Sequence, residues 1–193
     1  MKTNKRIILA SQSPRRHELI KKLNIEFDVI LPTFEEKLSS DDYSDEIIKN
    51  LSLSKALSVL ENKISNSIVI SADTVVVFEN KIFGKPKDEK HAKEMLQKLS
   101  DNTHFVVTAV SVIDSDTKKS ITKLTKTFVT FQNLSDKLID KYIKEKRPLD
   151  KAGAYGIQEM GEEFIKKVDG DLDNVIGLPT KTLKNILEEF GYL

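Results

Sequence analysis

The stretch Ile68–Phe78, "IVISADTVVVF", constrains the fold more than any other part of this chain. Valine and isoleucine carry two heavy atoms on Cβ, which crowds a helix and suits a pleated strand, so the run reads as the strongest strand in the sequence. Asp73-Thr74 interrupts it. An ionised carboxylate in an apolar run has to be paired, coordinated to a metal, or placed at the open end of the strand. Crevices at strand ends are where α/β folds hold their ligands. An aspartate that turns the chain or accepts backbone amides is the other reading of the same pattern.

The elements around this strand alternate in type. Arg6–Ala10 reads as a short buried strand, and Ser13-Pro14 as the N-cap and first residue of a helix reaching about Leu23. Phe27–Leu31 is a second strand candidate and Pro32–Ser44 an acidic loop. Helical spacing returns from Ile47 to Leu60, and again after Asp88, where Ala92, Met95, Leu96 and Leu99 fall on one face. Phe105–Ile113 and Ile121–Phe131 read as paired strands around a polar turn, and Ser135 caps a helix running through Ile143. The last third is glycine-punctuated: "DKAGAYGIQEMG", a short strand Phe164–Val168, a loop "GDLDNVIGLP", and a final helix opened by Pro179. The expected architecture is α/β, a mixed twisted sheet with flanking helices, open to a division into two lobes around a central cleft, in one domain over residues 1–193.

Composition removes several function classes. The chain of 193 residues has no cysteine, so disulfides, thiol nucleophiles and sulfur-ligated zinc are excluded. A formal net charge of +1 gives no bulk attraction to nucleic acid or an anionic membrane, so any anion recognition must be local. The start, "MKTNKRIILASQS", holds an apolar run too short for a signal peptide, and nothing approaches the roughly 20 apolar residues of a membrane span. A cytoplasmic location is expected.

Against that neutral background, Arg15 and Arg16 stand out. They fall in the first turn of a helix, whose field favours anions and disfavours cations, beside Ser11 and Ser13 at a strand-to-helix junction. Two guanidiniums there suit bidentate phosphate binding; solvated surface arginines are the alternative. Gly84-Lys85-Pro86 fixes one lysine in a rigid turn, whereas Lys55 reads by itself as an ordinary exposed helix residue. His17, His91 and His104 are scattered, with no metal-ligand spacing, and suit surface or packing positions. A metal would therefore be a hard one held by carboxylates and water, Mg²⁺ or Mn²⁺. The acidic segment around Glu35, Glu36, Asp41 and Asp42 otherwise reads as a solvated loop. These pieces fit metal-assisted hydrolysis of a phosphate ester or anhydride.

Four ordered blocks, "LASQSPRRHEL", "SADTVVV…GKP", "DKAGAYGIQ" and "DNVIGLP", resemble the signatures of the Maf family of nucleoside triphosphate pyrophosphatases, first associated with septum formation. The resemblance covers nearly the whole chain. It implies hydrolysis of a nucleoside triphosphate to the monophosphate and pyrophosphate with a divalent cation, in a homodimer. By that resemblance Asp73 is the proton acceptor. Arg15, Arg16, Lys55 and Lys85 are phosphate-binding cations, and Ser11 is a polar contact of the same loop. By the same resemblance Glu36 aligns with an acidic residue of the family's active site and, with Asp73, is the candidate for holding the metal, although Glu35 would serve in place of Glu36.

Thr74 and Gln158 look like those of the branch acting on dTTP and UTP. The Gln158 amide offers a donor beside an acceptor, complementary to the imide edge of uracil or thymine. Modified pyrimidine nucleotides are a further expected substrate class. The alternatives are the same reaction on guanine-type or methylated nucleotides, and a non-catalytic nucleotide-binding regulator of septum formation. Three departures from the family pattern, Asp101, Arg147 and Glu159, remove no proposed catalytic group, but Glu159 adds negative charge beside the base pocket.

Overall fold

The computed structural model describes residues 4–34 and 41–193. Its elements, in order, are β1 (Arg6–Leu9), α1 (Pro14–Lys21), β2 (Asp28–Val29), α2 (Asp45–Leu60), β3 (Ser67–Phe78), β4 (Lys81–Phe83), α3 (Glu89–Leu99), β5 (Thr103–Asp114), β6 (Ser120–Phe131), α4 (Asp136–Lys146), three short 3-10 turns between residues 148 and 159, β7 (Ile165–Asp169), α5 (Leu172–Ile176) and α6 (Thr180–Glu189). The strands form one mixed sheet in the order β2-β1-β3-β5-β6-β7, with β4 also paired to β3. β1 runs parallel to β2 and β3, and every other pairing is antiparallel.

The β-branched run forms β3, one of three twelve-residue strands at the centre of the sheet. Successive side chains of a strand point to opposite faces, so its even and odd residues enter different cores. Ile68, Ile70 and Ala72 pack with α1 and α6, and further along the same face Val76 packs with α3 and α4. Val69, Val75 and Val77 pack on the opposite face, which α2 covers with Ile48, Leu51, Ala56 and Val59. One continuous sheet thus serves both halves, and the division between them is one of cores.

The helix starts mostly obey elementary electrostatics, with α1 and α6 the exceptions; α6 starts after Pro179 with no side-chain cap and no acid in its first turn. Ser44, Asp88 and Ser135 each accept an amide of the first turn, and α2, α3 and α4 begin with acidic residues. α1 begins with Pro14-Arg15-Arg16 and no acid, and Ser13, although at the N-cap, makes no side-chain cap there. Three local expectations change. Only Asp28–Val29 of the second apolar run pairs as a strand, Lys81–Phe83 adds an unforeseen strand, and the "GDLDNVIGLP" loop contains the short helix α5.

Candidate active site

The site is a gap in the sheet. β1 pairs with β3 only as far as Ile70, where the Ala10 amide donates to the Ile70 carbonyl at 2.7 Å. β4 takes up the same edge from Val76. Among the described residues no strand covers positions 71–75 between them. A cavity of about 770 Å³ wraps this open edge and reaches both faces of the sheet, touching Leu51 and Lys55 of α2 on one and Val106 and Val175 on the other.

Asp73 and Thr74 are adjacent in this gap and, by the period of two, point to opposite faces. Asp73 faces α2, where its carboxylate pairs with the Lys55 ammonium. Both are buried, at 5% and 6% exposure. Lys55 is therefore not the exposed helix residue its neighbours suggested. One turn earlier on α2, Ser52 and Ser71 share hydrogen bonds, so that a polar seam crosses an otherwise apolar helix–sheet contact. A buried ion pair costs desolvation on both sides, and losing either partner leaves an uncompensated charge. Such a pair at the floor of a cavity is an expensive arrangement for structure alone.

Thr74 faces the other way, into the arginine. Arg16 donates from Nη2 to Thr74 Oγ1 at 3.1 Å, from Nη1 to Ser11 Oγ at 3.3 Å and from Nε to the Gly177 carbonyl at 2.8 Å. Behind it the bonds continue: Thr74 to Thr108 at 2.9 Å, and Thr108 to the Asn174 carbonyl at 3.1 Å. Asn174, fully buried, donates its amide to the Val106 carbonyl and Thr127 Oγ1, both at 3.0 Å. This explains the "DNVIGLP" block. Asn174 pins α5 to the sheet, Asp173 ties it to Lys22 and Thr180, and Gly177, at φ 129°, makes the left-handed turn that aims its carbonyl at Arg16.

Arg15 leaves the same turn of α1 in another direction and meets Asp150 Oδ2 at 3.3 Å, near the surface. Lys85 lines the cavity from its turn after β4, which the Gly153 amide joins to the 3-10 turns by a 3.0 Å bond to the Gly84 carbonyl. Gln158 is exposed on the last of those turns, at the rim. The cavity thus brings together Ser11, Arg15, Arg16, Lys55, Asp73, Thr74, Lys85 and Gln158 from five separate stretches of chain. Glu35 and Glu36 lie outside the described residues.

Residue-by-residue reading misses Lys151, which is 7% exposed, lines the cavity, and donates to Asp150 Oδ1 at 2.8 Å. It also misses Tyr155, whose hydroxyl meets buried His104 Nε2 at 2.7 Å beneath the cavity wall. Burial pushes the His104 imidazole down to about 4, so it packs as a neutral ring between Phe131 and Tyr155. A lysine before Ala-Gly-Ala and a histidine inside a strand carry no local mark of burial; only their positions against the sheet do.

Among the described residues, five cations (Arg15, Arg16, Lys55, Lys85, Lys151) face this cavity against two carboxylates, Asp73 and Asp150. That excess, inside a chain of net charge +1, gives a mixed α/β sheet a locally cationic cavity of a kind suited to an anion. No helix among the described residues is long and apolar enough to cross a membrane. Residues 6–190 match the Maf-like protein family, and the chain belongs to that family. A relative from Bacillus cereus named dTTP/UTP pyrophosphatase is 45% identical over 187 residues, covering 97% of this chain and 91% of the relative. A Bacillus anthracis protein of the same name is 44% identical, with 97% and 96% covered. Among solved structures, a HAM1 protein from Coxiella burnetii shares the fold at a TM-score of 0.55 and 14% identity, covering 95% of this chain and 98% of its own. The Staphylococcus aureus Ham1 protein does so at a TM-score of 0.54 and 15% identity, covering 96% and 100%.

Proposed function

We propose that this protein hydrolyses dTTP and UTP, and modified pyrimidine nucleotides of the same hydrogen-bonding edge, to the nucleoside monophosphate and pyrophosphate. The observation that carries the reading is the open edge of β3, where a buried carboxylate sits among an excess of cations. The naming of relatives 44–45% identical over nearly the full length supports it.

In this reading the triphosphate lies along the cationic wall, with Arg15, Arg16, Lys55 and Lys85 neutralising its oxygens and Ser11 supplying a polar contact at the end of β1. A water attacks the α-phosphorus, its proton passes to the Asp73 carboxylate, the bond to the β-phosphate oxygen breaks, and pyrophosphate leaves. Positioning and charge neutralisation supply most of the acceleration in such a phosphoryl transfer. Thr74, fixed by Arg16 and Thr108, shapes the floor, and Gln158 at the rim reads the imide edge of the base.

The donor set fits a hard divalent cation. Such ions are bound by one or two carboxylates plus substrate phosphates, and Asp73 is a buried carboxylate at the place where those phosphates would enter. Asp73 and Glu36 would hold Mg²⁺ or Mn²⁺, which when bound withdraws charge from the phosphate oxygens and orients them. Among the described residues no cluster of three metal-ligating side chains is assembled, so most of the remaining positions fall to the substrate and water. A cytoplasmic homodimer completes the reading.

The test is incubation with a panel of nucleoside triphosphates and Mg²⁺ or Mn²⁺. UTP and dTTP release pyrophosphate, and Asp73→Asn reduces turnover about a hundredfold or more, the range a general base contributes. Release of orthophosphate, or full turnover by Asp73→Asn, overturns the assignment.

A further inference from the structure

The proposed reaction leaves one cavity cation without a task. Lys151 is almost completely buried, which lysine rarely is unless paired. Its stem lies against Gly156, where a Cβ would come within 3.0 Å of Lys151 Cε, so the absence of a side chain there makes room for it. Its ammonium donates to Asp150 Oδ1 at 2.8 Å and lies 3.4 Å from Glu159 Oε1. The other oxygen of Asp150 takes Arg15 Nη1 at 3.3 Å. One carboxylate therefore bridges two cations of the cavity, one through each oxygen, as two oxygens of a phosphate group would.

The bridging side chain is 62% exposed and belongs to a 3-10 turn, while both its partners line the cavity. Burial pushes the Asp150 carboxyl up, but Lys151 and Arg15 outweigh that and hold it below the usual carboxylate range, so the bridge is charged at neutral pH. Without it, Arg15 would lose its ion-pair partner and Lys151 would keep, among the described residues, only Glu159, at 3.4 Å.

We propose that Lys151 belongs to the polyphosphate-binding set, and that Asp150 stands in for a phosphate group, bridging Lys151 and Arg15 until a polyphosphate displaces it. The inference rests on the cavity being a triphosphate site. It adds a phosphate contact and an exchange of anions: the incoming polyphosphate, with more charge and more oxygens than one carboxylate, takes both cations, and Asp150 swings to solvent. Glu159 stays on Lys151, helped by the Tyr142 hydroxyl, which donates to Glu159 Oε2 at 3.4 Å and accepts the Gly156 amide at 3.0 Å. The lysine is thereby kept in place during the exchange.

Titration calorimetry with inorganic tripolyphosphate tests this, with UTP turnover measured on the same preparations. Asp150→Asn, which keeps the shape and removes the competing charge, should bind tripolyphosphate about threefold to tenfold more tightly than wild type. Lys151→Met should bind about tenfold or more weakly, the loss of one charge-assisted hydrogen bond, and Lys151→Arg should recover most of that. A carboxylate that served only to hold Arg15 and Lys151 in place would weaken binding when neutralised, so tighter binding by Asp150→Asn separates the two roles even if Lys151→Met fails to fold. Unchanged or weaker binding by Asp150→Asn, in a wild type that binds tripolyphosphate and turns over UTP, overturns this inference alone. A wild type that neither binds nor hydrolyses overturns the proposed function, and this inference with it.

Discussion

Arg15 and Arg16 leave the same turn of α1 and end in different surroundings. Arg16 is part-buried and bonded to Ser11, Thr74 and the Gly177 carbonyl, at the head of a chain of hydrogen bonds that ends on fully buried Asn174. Arg15 is held by one ion pair to an exposed carboxylate on a short turn. One wall of the cavity is preorganised by the sheet, and the facing wall is assembled from exchangeable ion pairs on 3-10 turns. The contrast shows how a nucleotide site can combine a fixed frame for the reacting phosphate with an adjustable clamp for the rest of the ligand. Preorganised groups need no rearrangement at the moment of reaction, whereas exchangeable ones let a charged ligand enter without leaving bare cations behind.

The comparison breaks first at Arg16. Arg16→Lys replaces a planar fork by a point charge that cannot reach three acceptors, so turnover of UTP should fall about a hundredfold. If steady-state kinetics show a loss under about threefold, the fixed wall is not the reacting wall. The next largest effect concerns what lies beneath the adjustable wall. Tyr155 faces the cavity and rests on His104, whose folded-state value of about 4 lies below that of an unfolded histidine. The unfolded chain then takes up the proton first. Stability is therefore intact above about pH 6.5 and lost as the pH falls from 6.5 to 4, by up to about 3 kcal/mol. Denaturant unfolding across that window should show a steeper fall for wild type than for His104→Phe, whatever the variant's absolute stability. Equal slopes would mean that the imidazole is not held neutral.

The smallest effect sharpens the contrast most. Arg15→Ala removes only a surface pair, so stability should change by less than about 0.5 kcal/mol. Over the same substitution KM for UTP should rise about tenfold, while kcat moves little. A fall in kcat as large as that of Arg16→Lys would erase the distinction between the two walls.

Periodicity and capping carried much of the fold, because they are local. β3, α3 and α4 follow from β-branched runs, from apolar residues at helical spacing and from Asp88 and Ser135 as caps. The four blocks carried the family. The break at Asp73-Thr74 marked the cavity for the same local reason, since a carboxylate in an apolar strand has to have a purpose. α5 escapes such a reading because five residues, Leu172–Ile176, show no usable period. Its helix is held from outside, by the hydrogen bonds of buried Asn174 to Val106 and Thr127 and those of Asp173 to Lys22 and Thr180.

By itself, then, the sequence determined which residues could bind an anion and which strand would hold a charge. Only the tertiary structure decided who meets whom. Lys55 looked exposed on its helix, and it is buried because α2 crosses the sheet face to which Asp73, as an odd-numbered residue of β3, must point. Arg16 meets a carbonyl 161 positions away, and Arg15 a carboxylate 135 positions away. The gap between β1 and β4 that opens the edge of β3 beside Asp73 exists because two different strands share one edge of β3 and neither covers its middle. A strand's period states that its side chains alternate. Which helix lies on each face, and where a neighbouring strand stops, depends on contacts between distant segments whose free energies no local pattern contains.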